Sequence, residues 1–247
     1  MHIKDLLDNY NGPLLNKWDN YFDIYDYYFS SFRGKKIVFL EIGIAHGGSL
    51  NFWRQYFGED ALLIGIDVNP ACKQFEGPNT RVFIGSQEDE DFLNSIKHQV
   101  PEIDILLDDG GHTMMQQITT FNCLFDHVKE NGIYMCEDTH TSYIKTFGGG
   151  LFRKGTFIEF SKKHIDNLHG WFISKSARNK MINKITQSVW AVHYYNSVVV
   201  YLKKKMNEPK NLSIGRKTIE IGEYARYGVK YPFYKKFTNY IFRRNKR

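Results

Sequence analysis

From Lys35 onward the chain alternates short apolar runs with helical patterns, and this alternation limits its fold more than any other feature. Residues 37–42, 61–68, 81–84, 103–107 and 132–136 read as five strands, and residues 48–57 and 116–128 as helices between them. Strand–helix alternation of this kind gives βαβ units and a mainly parallel sheet covered by helices on both faces. Beyond Gly150, residues 156–168 read as a further helix. Residues 188–193 and 197–202 read as a hairpin turning at Tyr195-Asn196, which brings the expected sheet to seven strands. The expected fold class is therefore α/β, a doubly wound, mainly parallel sheet. It carries an N-terminal helical cap (residues 1–34) on a central domain (35–202) and a basic, aromatic C-terminal extension (203–247). In the cap, Trp18, Tyr21, Phe22 and Tyr25 are spaced for one helix face, the ordinary signature of a packing stripe.

Ligands of such sheets bind beyond the carboxyl ends of the strands, which directs attention to the residues after Ile42, Val68, Ile84, Leu107 and Cys136. The first strand leads into Glu41-Ile42-Gly43-Ile44-Ala45-His46-Gly47-Gly48-Ser49. Its glycines permit a tight turn and close approach of a ligand. The spacing is not GxGxxG, so an uncharged or zwitterionic ligand is favoured over a pyrophosphate. Asp67 closes the second strand, where a carboxylate can accept from both hydroxyls of a ribose, or simply cap a turn. Gly85-Ser86-Gln87 closes the third and is placed to hold an adenine edge.

Together with Leu107-Asp108-Asp109-Gly110-Gly111-His112 and Glu137-Asp138, these residues resemble class I S-adenosylmethionine (SAM) dependent methyltransferases. More narrowly, the chain resembles the metal-dependent sugar O-methyltransferases that include the macrolide-glycoside enzymes, a group that also holds proteins labelled cephalosporin hydroxylases. The resemblance spans roughly residues 14–202 and is most specific in the Asp-Asp-Gly-x-His and Glu-Asp motifs. It implies SAM bound by Glu41, Gly43, Gly48, Ser49, Asp67, Ser86, Gln87 and Asp108, with Asp108 nearest the methionine end. It also implies a divalent cation on Asp109, Glu137 and Asp138, and an acceptor that is a sugar hydroxyl, which a cytosolic enzyme would meet on a nucleotide-linked hexose or heptose or on a surface polysaccharide precursor. A phosphate or phosphoramidate group of a surface glycan is the alternative acceptor.

The residues themselves support a cation. If the fourth and fifth strands are neighbours, Asp108, Asp109, Glu137 and Asp138 crowd one rim, and like charges so close call for a positive partner. Oxygen donors without a Cys or His cluster suit Mg²⁺ or Ca²⁺, Mg²⁺ being the expectation; pairing with Lys145 or Arg153 is the plainer alternative. His112, three residues from Asp109, is the candidate general base, suited to taking a hydroxyl proton near neutrality. His140 is a candidate for lining the acceptor pocket, while His46 and His193 read as packing residues. The stretch Phe147-Gly148-Gly149-Gly150-Leu151 reads as either a lid or a connector.

Two other function classes compete. An NAD(P) oxidoreductase would share the βαβ start but lacks its glycine pattern here. A non-enzymatic binding protein draws support from the tail, where residues 203–247 carry 14 Lys or Arg against 3 Asp or Glu. Tail tyrosines and phenylalanines among those charges suit an anionic membrane surface, a glycan or a homo-oligomer contact better than nucleic acid. Three scattered cysteines, the absence of a basic-then-apolar leader in Met1–Asp5 and the lack of an 18-residue apolar run lead to the expectation of a cytoplasmic chain, with peripheral contact at the inner membrane face.

Overall fold

The computed structural model describes residues 2–173, 178, 181–216 and 218. A seven-stranded sheet runs in the order β3-β2-β1-β4-β5-β7-β6. Its strands are β1 (Val38–Ile42), β2 (Leu62–Asp67), β3 (Thr80–Ile84), β4 (Ile103–Asp108), β5 (Val128–Cys136), β6 (Val189–Tyr194) and β7 (Val199–Lys203). The first five are parallel; β7 pairs antiparallel with both β5 and β6, so the hairpin places only β6 at the edge. This is the doubly wound architecture expected, with one antiparallel strand inserted beside β5. All five residues of β1 are buried, because a central parallel strand is covered on both faces and needs apolar side chains on each.

Helices α1 (Ile3–Asp8), α2 (Tyr21–Phe29) and α3 (Gly48–Phe57) cover one face, and α4 (Glu90–Gln99), α5 (Met114–Leu124) and α6 (Phe157–Leu168) the other. The first face is an aromatic cluster around fully buried Trp53, which meets Tyr25, Phe29, Phe39, Phe52 and Phe57 with centroids 5.1–5.7 Å apart. Helices α1 and α2 are thus part of that core: Ile3, Leu6, Tyr21, Phe22, Tyr25 and Phe29 are buried in it. The helix expected over 116–128 is corrected at both ends. Thr113 caps it with a reciprocal Thr113–Gln116 pair, and the chain tightens to a 3₁₀ turn at Phe125 and enters β5 at Val128. Trp18 also departs from the expected stripe: it precedes α2 and is 57% exposed.

The chain divides into a unit spanning Met1–Glu208 and a second from Pro209 to Arg247. The aromatic tail residues beyond Thr218 lie outside the described residues. Among the described residues no helix is long and apolar enough to cross a membrane. All three cysteines are buried and free.

One buried ring gives the fold a pH dependence. His164 on α6 stacks on Phe121 and its Nδ1 lies 2.8 Å from the Tyr201 hydroxyl. Burial, with Lys184 and Lys163 adding repulsion, lowers its pKa from 6.5 to about 4. The unfolded chain binds a proton near pH 6.5 and the folded chain only near 4, so the stability carried by the neutral ring is full above pH 6.5 and is lost as pH falls toward 4. The span corresponds to about 3 kcal/mol. Thermal melts between pH 7.5 and 4 should show a steeper fall in Tm for the native chain than for His164→Gln; parallel curves would refute this.

Candidate active site

The ends of β1, β2, β4 and β5 form one rim. The first turn after β1 is held by Asp67, whose Oδ2 accepts from the Ile44 and Ala45 N–H groups at 3.0 and 2.9 Å, while Oδ1 accepts from Asn69 N–H at 2.9 Å. The carboxylate thereby fastens the loop, as the turn-residue alternative anticipated. A carboxylate has about four lone-pair sites, and Asp67 also lines a cavity of about 450 Å³. Gly43 has φ +84, and a Cβ there would fall 2.1 Å from the Asp109 carbonyl oxygen. Its missing side chain lets the β1 and β4 loops touch, so the close approach served by this glycine is that of backbone to backbone.

Gly43, Asp67, Ser86, Gln87 and His112 line the larger cavity. Glu41 and Asp108 are buried and do not line it. Gln87 ties Asp108 to it: Nε2 donates to Asp108 Oδ1 at 2.5 Å and to Thr120, and Oε1 accepts from Gly111 N–H. Burial pushes the Asp108 carboxyl up to about 7, against the hydrogen bonds from Gln87 and Tyr134 that hold it down. Gly48 packs instead under the N-terminal segment, with the Leu14 carbonyl where a Cβ would be, and Ser49 lines a smaller neighbouring cavity.

A second cavity of about 330 Å³ adjoins the first, lined by Trp18, Tyr21, Glu137, His140 and Phe147 among others. Asn16, Asp109, His112 and Asp138 belong to both. At this junction His112 Nε2 lies 3.3 Å from Asp138 Oδ2 and 3.9 Å from Asp109 Oδ1. The three side chains offer ligand atoms that all lie within 4.8 Å of one another. His112 and Asp138 hold φ values of +59 and +50, a backbone strain of about 1 kcal/mol or more each that side-chain placement repays. Thr141 fixes the His112 carbonyl by a hydrogen bond at 2.8 Å.

The cation that the crowded carboxylates demand is Lys17, which sequence spacing did not point to. Its Nζ lies 2.6 Å from Asp109 Oδ2, 3.1 Å from Glu41 Oε1 and 3.2 Å from Glu137 Oε2. Burial alone would lower its pKa; Asp109 and Glu137 raise it well above the ordinary lysine value. Burial pushes Glu137 up, with the Lys17 charge opposing. Tyr25 donates to Glu137 Oε1, and Trp18 Nε1 and Tyr21 Oη donate to Asp138 Oδ1 at 3.0 and 2.7 Å. Asp109, Glu137 and Asp138 are therefore brought together as expected, but Glu137 points to Lys17 and Tyr25, while Asp109 and Asp138 converge with His112. The two hard carboxylates, Asp109 and Asp138, fit a divalent cation by donor chemistry, with the His112 imidazole beside them.

His140 stands beside the junction, edge-on to Trp18 and 2.6 Å from Ser197 Oγ. His193 packs against Tyr28, away from it. The Phe147–Leu151 stretch is tied down: Gly149 and Gly150 N–H groups bond the Ile144 and Ser142 carbonyls.

Residues 40–139 match the family described as "Methyltransferase domain". The chain is 29% identical over 203 residues to 8-demethyl-8-alpha-L-rhamnosyl tetracenomycin-C 2'-O-methyltransferase of Streptomyces olivaceus, covering 78% of this chain and 52% of that protein. It is 29% identical over 194 residues to mycinamicin VI 2''-O-methyltransferase of Micromonospora griseorubida, covering 74% and 48%. Among solved structures, MycE methyltransferase from the mycinamycin biosynthetic pathway, in complex with Mg and SAH, superposes with a TM-score of 0.75 at 26% identity, over 83% of this chain and 55% of that one. The chain thus spans about half the length of the curated relatives it matches. Residues 40–139 thus match a methyltransferase domain, on a sheet shared with a solved methyltransferase and in a chain similar over most of its length to a sugar O-methyltransferase.

Proposed function

We propose that this protein transfers the methyl group of SAM to a hydroxyl of a sugar ring, assisted by a divalent cation, Mg²⁺ by donor chemistry. The observation that carries the reading is the pair of adjoining cavities that share Asp109, His112 and Asp138. The larger takes SAM, with Asp67 facing the ribose hydroxyls, Ser86 and Gln87 the adenine edge, and Gly43 the methionine side. The smaller takes the acceptor ring beside Trp18 and His140. The acceptor oxygen forms its bond to the methyl carbon as the S–CH₃ bond breaks, and its proton passes to His112 Nε2. An imidazolium there has two carboxylates within 4 Å to stabilise it. A divalent cation on Asp109 and Asp138, with Glu137 behind them, would acidify the hydroxyl and fix its angle. Holding both reactants in line supplies much of the remaining acceleration.

The names of two relatives specify hydroxyls of a rhamnosyl group already attached to tetracenomycin C, and MycE has been solved with Mg, SAH and mycinamycin VI. For this chain the acceptor is a nucleotide-linked hexose or heptose, or a surface polysaccharide precursor. The positive tail suits an anionic carrier. The test is methyl transfer from labelled SAM over a panel of nucleotide sugars and plain glycosides, with and without EDTA. Transfer to a nucleotide sugar, abolished by EDTA and restored by Mg²⁺, is expected. Preference for plain glycosides would remove the carrier, and full activity in EDTA would remove the metal.

A further inference from the structure

We propose that Lys17 is the resident cation of the carboxylate rim, and that a divalent cation binds only by displacing its ammonium from Asp109 and Glu137. The inference rests on the metal-assisted reading above and assigns its regulation to the segment that carries Lys17. Three carboxylates from three different strand ends converge on this one side chain, which is 3% exposed. Yet one ammonium faces Glu41, Asp109 and Glu137, with Asp138 next door, so the rim is left short of positive charge. Glu41 Oε2 is buried with no hydrogen-bond partner, as is His112 Nδ1.

The donor atoms show what displacement would supply. Asp109 Oδ2 and Glu137 Oε2 are both held by Lys17, and Glu137 Oε1 by Tyr25. Asp109 Oδ1, Asp138 Oδ2 and His112 Nε2 face one another at the junction. A hard cation that seeks six or more oxygen ligands gains the other oxygens of Asp109 and Glu137 only by taking them from Lys17. Repulsion at a few ångströms acts in the same direction, since an ammonium and a divalent ion cannot share these oxygens without a large Coulombic cost.

Lys17 belongs to a segment without helix or strand between α1 and α2, which crosses the rim. Leu14 packs its carbonyl over Gly48, Asn16 lines both cavities, and Trp18 donates to Asp138. Lys17 is the charged pin of this segment. Displacing it loosens the strap over both cavities, so that cation occupancy and the strap's seating exclude one another at this pin.

The test uses the full chain and Mn²⁺ as probe. A small amine-acylating reagent is applied with and without saturating Mn²⁺, and acetylation of Lys17 is read by peptide mass spectrometry against exposed Lys73. Without metal, Lys17 should react at least about tenfold more slowly than Lys73, as a buried amine does. Mn²⁺ should raise its rate by about tenfold, as its burial is relieved. Mn²⁺ binding seen by electron paramagnetic resonance with Lys17 still protected would overturn the displacement and leave the metal reading intact. In parallel, Lys17→Met should bind Mn²⁺ about tenfold more tightly or better, by the loss of a competing charge. Binding by Lys17→Met alone would support the inference, and binding by neither chain would overturn it together with the metal reading. The labelling arm needs no variant, so it holds if Lys17→Met folds poorly.

Discussion

His112→Gln should lower the rate of methyl transfer by about 10²–10⁴-fold, the usual span for a lost general base, while SAM binding changes little. A sugar hydroxyl is a poor nucleophile until its proton leaves, and His112 Nε2 is the basic nitrogen at the junction of the two cavities. Glutamine keeps a polar side chain of similar reach without a titratable nitrogen. The backbone at residue 112 has φ +59, so a parallel His112→Asn variant, which tolerates that region well, separates strain from chemistry. Both variants should lose turnover alike while retaining their melting temperatures to within a few degrees. Turnover within a factor of about three of the native rate would deny His112 the role of base.

Asp138→Asn should weaken divalent-cation binding by about 10²-fold and reduce transfer at fixed Mg²⁺ in proportion, with partial recovery at high Mg²⁺. Asparagine preserves the shape of the side chain and is at ease at φ +50, the backbone angle of residue 138. It can still accept from Trp18 Nε1 and Tyr21 Oη, so the contacts that seat the N-terminal segment survive. What it removes is one of the two carboxylate charges that face His112. The expected signature is a shift of the Mg²⁺ activation curve to higher concentration with SAM binding retained. An unshifted curve would place the cation elsewhere or dispense with it.

Much of this arrangement was legible in the sequence because a doubly wound sheet writes itself in strand ends. Each central strand is covered on both faces and so reads as a short apolar run, and the polar residue that follows is where side chains reach the ligand face. Asp67, Gln87, Asp109, His112 and Asp138 follow strand ends in this way, and the pairing of β4 with β5 brings the last three together. The helix Glu90–Gln99 escaped because it buries only Leu93 and Ile96, too few apolar positions to form a stripe. Trp18 mimicked a helical stripe by spacing alone. Lys17 could not be read at all, since its partners lie 24, 92 and 120 residues away. The charge excess at the rim foretold that a cation was needed; only the fold shows that the chain itself supplies one. Asp67 teaches the same lesson from the other side, because the N–H groups that engage it belong to a loop whose path depends on Gly43 meeting the β4 turn.

Methyl transfer as proposed requires that the cavity bordered by Gly43, Asp67 and Gln87 bind SAM. The measurement that addresses it most directly is calorimetric titration of the full chain with S-adenosylhomocysteine, alongside NAD⁺. Saturable one-to-one binding of S-adenosylhomocysteine, markedly weakened in Asp67→Ala and absent with NAD⁺, is the predicted result. No binding of S-adenosylhomocysteine by a chain that is folded by circular dichroism, or binding of NAD⁺ in its place, would contradict the account.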